Sequence, residues 1–273
     1  MNTDSHFCIG STHRVCEDYA AAGHHVVSEQ DVYYAIVSDG CSSSPNTDFG
    51  SRIITAYAVR KLKTFDPQSF GIRFIMDCKD IADELNLHPM ALDATLNIAW
   101  ACENTLKIVC FGDGAAIIVY EDGEKDIFEF QYPSGAPLYL NYYLSHDRYN
   151  NYIKEFGLKR RLIINGKEIE FIDTENPFVF EKKLDKIKAV FVTSDGIGSF
   201  QKRNDTKIIT SSRTVNVRDV EPIEVADVVD KLLDIKGYQG EFLKRRYNGF
   251  KRMCLKENWE HKDDMSIAGI YFN

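Results

Sequence analysis

The sequence predicts an α+β fold in which β-sheets are covered by helices, and three observations carry that prediction. Short apolar strands recur along the whole chain, and four of them lie next to a carboxylate. The block from 94 to 131 alternates strand-like runs with short turn signals, as an antiparallel meander does. Two amphipathic helices stand between the strand-borne carboxylates and two more precede the last strand, as expected of sheets that bury a face against helices.

Taken in order, the chain opens with Cys8-Ile9-Gly10-Ser11-Thr12-His13-Arg14-Val15-Cys16-Glu17-Asp18-Tyr19-Ala20, which sets His13 and Arg14 before the acidic pair Glu17-Asp18. By itself it is a polar loop. Residues 32–37 are the first buried strand. Asp48 is placed to cap the next helix, where Ile53, Ile54, Tyr57, Ala58 and Leu62 form a stripe at helical spacing. Phe65-Asp66-Pro67 breaks it, and a second helix over about 70–85 lines up Phe74, Ile75, Cys78, Ile81, Ala82 and Leu85. Both stripes are core. Strands follow at 94–101, 105–111, 115–120 and 127–131, separated by Glu103-Asn104, Gly112-Asp113-Gly114 and Asp122-Gly123. Residues 132–137 form a loop and 138–144 a strand or extended piece. From 145 to 184 the chain is mixed and polar, with weak strands at 161–164 and 168–172, which suits an irregular excursion over an active site. Residues 201–219 look loop-like; Glu221-Pro222 opens a helix to about 235, and a last helix covers about 241–258. Its Lys244, Arg245, Arg246, Lys251 and Arg252 fit a solvated face better than a surface for an acidic partner. No repeat or low-complexity linker divides residues 1–273, so one domain is expected.

Composition narrows the function. The 273 residues include 33 Lys and Arg against 41 Asp and Glu, a net charge of −8, which argues against a dedicated nucleic-acid binder. The 44% hydrophobic share is ample for a core. No apolar run approaches the ~18 residues of a membrane span, and MNTDSHFCIG lacks the charged and apolar regions of a signal peptide. A soluble, cytoplasmic protein with neither membrane nor nucleic-acid partner is expected. Seven cysteines form no CxxC pair and no zinc spacing, which points to reduced thiols. Cys78, Cys102 and Cys110 sit in apolar or helical contexts as small hydrophobes, whereas Cys16 and Cys41 lie beside acidic motifs.

Those motifs carry the chemistry. Tyr33-Tyr34-Ala35-Ile36-Val37-Ser38-Asp39-Gly40 is an apolar strand running into Asp-Gly, and Ala189-Val190-Phe191-Val192-Thr193-Ser194-Asp195-Gly196 nearly copies it. Val109-Cys110-Phe111-Gly112-Asp113-Gly114 is a third case, and Asp263-Asp264 leads into the closing strand from Met265 to Phe272. Asp-Gly is also the commonest hairpin signal. Asp122-Gly123, flanked by Glu121, Glu124 and Lys125 between two strands, is read as a plain type I′ turn. Asp39 and Asp195 differ, because a serine and a long apolar strand precede each and no second strand follows at hairpin distance. Four carboxylate sites at strand ends suggest an all-oxygen site for hard divalent cations such as Mg²⁺ or Mn²⁺.

In this order, Cys16-Glu17-Asp18-Tyr19-Ala20, Ser38-Asp39-Gly40, Gly112-Asp113-Gly114, Ser194-Asp195-Gly196 and Asp263-Asp264-Met265-Ser266 resemble the metal-dependent type-2C protein phosphatases, most closely their divergent bacterial branch, over residues 7–273. The resemblance implies a four-layer α/β/β/α sandwich, two antiparallel β-sheets flanked by helices. It implies that Asp39 bridges two Mn²⁺ or Mg²⁺ ions with help from the Gly40 carbonyl. Asp195 and Asp263 would complete the first ion's shell, Glu17 and Asp18 would serve the second, and Asp113 would go with a third, weaker ion. The family's mobile flap would fall within 145–184. Metal-bound hydroxide would attack phosphorus in line, with Asp39, Asp195 and Asp263 as the catalytic core. Two departures stand out. The family's phosphate-binding arginine falls at His13, with Arg14 one step away, and the histidine that follows Asp-Gly in human-type members is replaced by Cys41.

The expected function is a phosphoserine/phosphothreonine protein phosphatase acting on a phosphorylated protein and paired with a Ser/Thr kinase in signal transduction. The two departures keep open a catalytically weak, metal-binding regulatory module, and a hydrolase of small phosphorylated metabolites is the third reading.

Overall fold

A computed structural model describes residues 1–63, 66–172, 177–209 and 214–272. The chain starts with strands β1 (Asn2–Cys8), β2 (Tyr19–Val27) and β3 (Gln30–Ser38), then helices α1 (Thr47–Lys61) and α2 (Ile72–Glu84). Strands β4 (Leu96–Cys102), β5 (Thr105–Phe111), β6 (Gly114–Tyr120) and β7 (Lys125–Gln131) lead to helix α3 (His146–Phe156). Strands β8 (Lys159–Ile164), β9 (Lys167–Ile172), β10 (Phe178–Lys183) and β11 (Ile187–Thr193) follow. The last part holds β12 (Phe200–Ile209), β13 (Thr214–Pro222), α4 (Val225–Leu232), α5 (Phe242–Glu257), β14 (Trp259–His261) and β15 (Met265–Tyr271).

Two antiparallel sheets carry the architecture. One has the order β1-β15-β11-β6-β7-β8-β9 and the other β10-β5-β4-β3-β2, while β13-β12-β14 makes a small third sheet. Period-two alternation explains how the central strands bury both faces. On β3, Ala35 and Val37 join the core between the sheets, while Tyr34 and Ile36 pack towards α1 and α2. On β11, Val190 and Val192 face between the sheets and Ala189 and Phe191 face α4 and α5. The layers are therefore α1/α2, five strands, seven strands, and α4/α5. Small residues at the sheet–sheet interface (Ala35, Ala99, Ala116, Ala268) allow the sheets to lie close. Gly269 sits opposite Phe191, whose ring fills the space a side chain would need.

The first strand, both helices of the α1/α2 pair, the strands at 105–111 and 161–164 and the last helix form close to where the sequence places them. Several elements differ. The expected meander splits: β4 and β5 pair in one sheet and β6 and β7 in the other. The chain crosses between them at Gly112-Asp113-Gly114, where φ is +102° and +127° at the two glycines. Asp48 lies inside the first turn of α1, whose cap is Asn46 in the left-handed region. Asp122-Gly123 does turn β6 into β7, but only Gly123 has positive φ, so the turn is not type I′. In place of an extended 138–144, a short 3-10 turn (Leu140–Leu144) runs into α3, capped where Ser145 Oγ accepts from Arg148 N–H at 3.4 Å. That helix carries Tyr149, Tyr152, Ile153 and Phe156 at helical spacing, a short stripe in an otherwise polar run of which only Tyr152 is buried.

The loop expected at 201–219 is the β12/β13 ribbon, disguised by the charged run Gln201-Lys202-Arg203-Asn204-Asp205. Pro222 ends β13, so α4 begins only at Val225. β1, β2 and β10 are further strands that the sequence does not announce. Phe65 of the expected helix break, 173–176 of the expected flap and 210–213 of the expected loop lie outside the described residues. Among the described residues, no helix is long and apolar enough to cross a membrane. Of the basic residues on α5, Arg246 donates to the carbonyls of Lys231 and Leu232, Arg245 to that of Gln239, and Lys244 pairs with Glu241. Those three side chains bind within the α4/α5 layer.

Candidate active site

Asp39 directly follows β3, and its position is fixed by hydrogen bonds to the segment before β4. Its N–H donates to Thr95 Oγ1 (3.0 Å), its carbonyl accepts from Thr95 N–H (2.8 Å), and Cys41 N–H donates to the Asp93 carbonyl (2.8 Å). Gly40 must be glycine here: a Cβ would come within 2.8 Å of Thr47 Cβ and carbonyl oxygen. Asp113 sits at the crossover between the sheets, where Asn97 Nδ2 donates to its carbonyl at 2.7 Å. Asp195 opens a 3-10 turn directly after β11. Gly196 packs against the Asp264 carbonyl, which a Cβ would approach to 1.7 Å. Asp263 precedes β15 and is held where its N–H donates to Ser199 Oγ (3.2 Å).

Asp18 is fully buried at the foot of this group. Neither of its carboxylate oxygens has a hydrogen-bond partner, although Ser194, Ser266 and Asp39 stand beside it. Burial pushes the Asp18 carboxyl up to about 7 and the Asp113 carboxyl up to about 8, with Asp195 adding repulsion in both cases. Asp39 is raised well above the usual range by burial, then by Asp18, Asp195 and Asp113. Asp195 is raised by burial, with repulsion from Asp263. These carboxylates face one another closely enough that ionising them together is costly.

A second group adjoins the first. Asp264, 2% exposed, accepts from Gly10 N–H (2.8 Å) and Glu17 N–H (2.6 Å), tying the 10–17 loop to β15. His13 turns into the carboxylates: Nε2 is 3.1 Å from Asp263, and Nδ1 is 3.2 Å from Asp264 and 3.5 Å from Glu17. Burial lowers the His13 pKa, but Asp264, Asp263 and Glu17 outweigh it and raise it. Glu17 lies with His13 and Asp264, one ligand atom of each falling within 4.8 Å of the others. Arg14 is exposed. Cys41 Sγ is 3.1 Å from Ser43 Oγ and neighbours Tyr139. Asp113, Asp195 and Asp263 line one part of a cleft of about 400 Å³ that runs on past Ile197 and Val225 to Glu129, Gln131 and Tyr132.

Asp93 and Asp264 are the residues that sequence reasoning did not single out. Asp93, 1% exposed, accepts from Ser44 Oγ (2.9 Å), Asn141 Nδ2 (2.7 Å) and Arg148 Nη2 (2.7 Å), so it anchors both the loop after Asp39 and the segment leading into α3. Only the doubled Asp263-Asp264 hinted at the second residue. No motif marked Asp93.

The donor set fits divalent cations. Asp18, Asp39, Asp113 and Asp195 offer oxygen atoms only, include a buried carboxylate without a partner, and repel one another unless positive charge is supplied, while Glu17 stands apart with the His13 nitrogen and Asp264. Fold and site together define a metal-dependent phosphatase. The chain belongs to the protein phosphatase 2C family, whose model matches residues 9–233 and so takes in Glu17, Asp18, Asp39, Asp113 and Asp195, with Asp263 beyond it. Members are protein serine/threonine phosphatases and use divalent metals. Among solved structures, a bacterial serine phosphatase is similar at 12% identity and a TM-score of 0.52, covering 100% of this chain and 98% of its own. The serine/threonine phosphatase Stp1 from Staphylococcus aureus is 13% identical (TM-score 0.50, coverage 100% and 96%). The phosphatase domain of SpoIIE from Bacillus subtilis, with a fragment of its regulatory domain, is 14% identical (TM-score 0.54, coverage 99% and 63%). At these identities the likeness is one of fold. No curated protein matches in sequence.

Proposed function

We propose that the carboxylate cluster holds two Mn²⁺ or Mg²⁺ ions, and a third more weakly, for the hydrolysis of phosphoserine and phosphothreonine in proteins. The observation that carries this reading is Asp18, a buried carboxylate without a partner beside Asp39, itself crowded by Asp195 and Asp113. Asp39, with the Gly40 carbonyl, would serve both principal ions; Asp195 and Asp263 would hold the first, Asp18 and Glu17 the second, and Asp113 the third. Divalent cations in such a site lower the pKa of water and offset charge on the phosphoryl oxygens.

The chain's own residues set the geometry. Asp39 arrives from the five-stranded sheet and Asp195 and Asp263 from the seven-stranded one, so the distance between sheets fixes the spacing of the donors. His13 holds Asp263 and Asp264 in place through its two ring nitrogens, and it or the exposed Arg14 would bind the phosphate in the place of the family's arginine. Cys41 and Tyr139 neighbour each other close to Asp39 and Asp113, and Cys41 would stand where the family's histidine assists the leaving serine or threonine oxygen.

The whole chain acts as one domain in this reading, supported by β1, which pairs with β15 at the other end of the sequence. The substrate would be supplied by a Ser/Thr kinase. Seven free cysteines suit a reducing cytoplasm. The test is turnover of a phosphoserine peptide, an aryl phosphate and a panel of sugar and nucleoside phosphates, with Mn²⁺ and with chelator. Mn²⁺-dependent turnover that favours the peptide is expected. Metal binding without turnover would favour the regulatory module, and a preference for a metabolite would replace the protein substrate.

A further inference from the structure

We propose that the far end of the catalytic cleft binds an arginine or lysine side chain of the substrate, within about three positions of the phosphoresidue, through Glu129 with Glu224 beside it. This rests on the phosphoprotein reading above and names the kind of sequence that the site selects.

The cleft is continuous. Asp113, Asp195 and Asp263 line one part, and Glu129, Gln131, Tyr132 and Val225 line the other. Glu129 stands on β7 opposite Ala115, two residues past Asp113 along β6. Two strand residues span about 7 Å and neighbouring strands lie about 5 Å apart, which puts the two backbones about 8–9 Å from each other. An extended peptide covers that distance in two to three residues. A phosphoserine over the carboxylate cluster therefore brings its near neighbours to Glu129.

The chemistry at that end asks for a cation. The Glu129 carboxylate is half-buried, it accepts from the Gln131 amide (Nε2 to Oε2, 3.3 Å), and it makes no ion pair among the described residues. Glu224, the cap residue of α4, adds negative charge close by. A half-desolvated carboxylate without a counter-cation is costly, and a guanidinium or ammonium group brought by the substrate offsets that cost in the complex. Tyr132, Ile197 and Val225 give an apolar wall for the methylene stem of such a side chain. The same field repels an acidic flank, which provides discrimination as well as affinity.

The experiment uses three phosphoserine peptides that differ only in the flanking residues, arginine, alanine or glutamate, with Mn²⁺ and an aryl phosphate for comparison. The wild-type protein is expected to favour the arginine over the alanine peptide by about tenfold in kcat/KM, mostly through KM, and to disfavour the glutamate peptide. In Glu129→Gln the arginine-to-alanine ratio should fall towards one, and in Glu129→Lys the order should invert. Because each ratio is taken within one protein, a general loss of activity does not alter it. Hydrolysis of the aryl phosphate with no phosphopeptide turned over would sink the phosphoprotein reading. Equal turnover of all three peptides would sink this inference alone. A preference that survives in both Glu129→Gln and Glu224→Gln would overturn the residue assignment, and so would loss of a bound Mn²⁺ ion in Glu129→Gln.

Discussion

Asp18 shows why single residues decide the chemistry. An ionised carboxylate buried without a partner costs about several kcal/mol, and Asp18 is fully buried with both oxygens unpartnered. Asp39 lies against it and shares the same field. The two are therefore expected to act through one ligand, and Asp39, placed between the sheets, to matter most. Asp39→Asn should lower Mn²⁺-dependent turnover of an aryl phosphate by at least about 100-fold, because an amide lacks the charge that the cations need. Asp195→Asn and Asp263→Asn should each lower it sharply, with the fold retained by circular dichroism. Asp122→Asn should change nothing, since the β6–β7 turn takes asparagine as readily as aspartate. Damage from Asp122→Asn equal to that from Asp39→Asn would count against the assignment.

Between elements, the joints are as specific as the ligands. The loop after Asp39 and the segment before α3 both hang on Asp93, which has three side-chain partners and 1% exposure. Asp93→Ala should destabilise the protein by about 1–3 kcal/mol, as expected when buried hydrogen-bond partners are left unsatisfied, since the Arg148 side chain is 31% exposed and keeps its charge partly in water. Denaturant titration measures it, and a loss within ~0.5 kcal/mol would mean that the network is ornamental to stability. Gly50, inside α1, gives a prediction opposite in sign to helix propensity. Ala for Gly in a helix ordinarily stabilises by about 1 kcal/mol, but a Cβ here would lie 1.6 Å from the Ala91 carbonyl oxygen. Gly50→Ala should therefore lower the melting temperature.

Asp39, Asp113 and Asp195 were legible because each follows an apolar strand and adjoins glycine, so a local pattern states their place. Asp93 was not, since its partners Asn141 and Arg148 stand 48 and 55 positions away and no turn or strand signal marks it. β2 was hidden by Ala20-Ala21-Ala22-Gly23, too small and permissive to speak for a strand. The split of the meander was hidden because Gly112 and Gly114 look the same whether a chain turns back or crosses to another sheet.

Across the whole molecule, the site lies where the ends of interior strands from two sheets meet, and its carboxylates couple folding to cation binding. Asp18, Asp39, Asp113 and Asp195 all have carboxyls raised in the folded state, chiefly by burial. Their ionised forms oppose folding, so the metal-free protein should gain stability as the pH falls from about 8 towards the ordinary carboxylate range near 4. His261, held by burial down to about 4, works in the opposite direction below about pH 6.5, because it charges only on unfolding. The quantity to measure is therefore the gain in melting temperature on adding Mn²⁺ to chelator-treated protein at each pH. That gain should grow from pH 6 to pH 8, and a gain independent of pH would contradict the coupling.

The most direct test of the central claim, that carboxylates from both sheets converge on shared cations, is a calorimetric Mn²⁺ titration of the metal-free protein and of Asp39→Asn. At least two ions should bind the wild-type protein, and neither should bind the variant with comparable affinity. No binding by the wild-type protein, or an unchanged isotherm in Asp39→Asn, would contradict it.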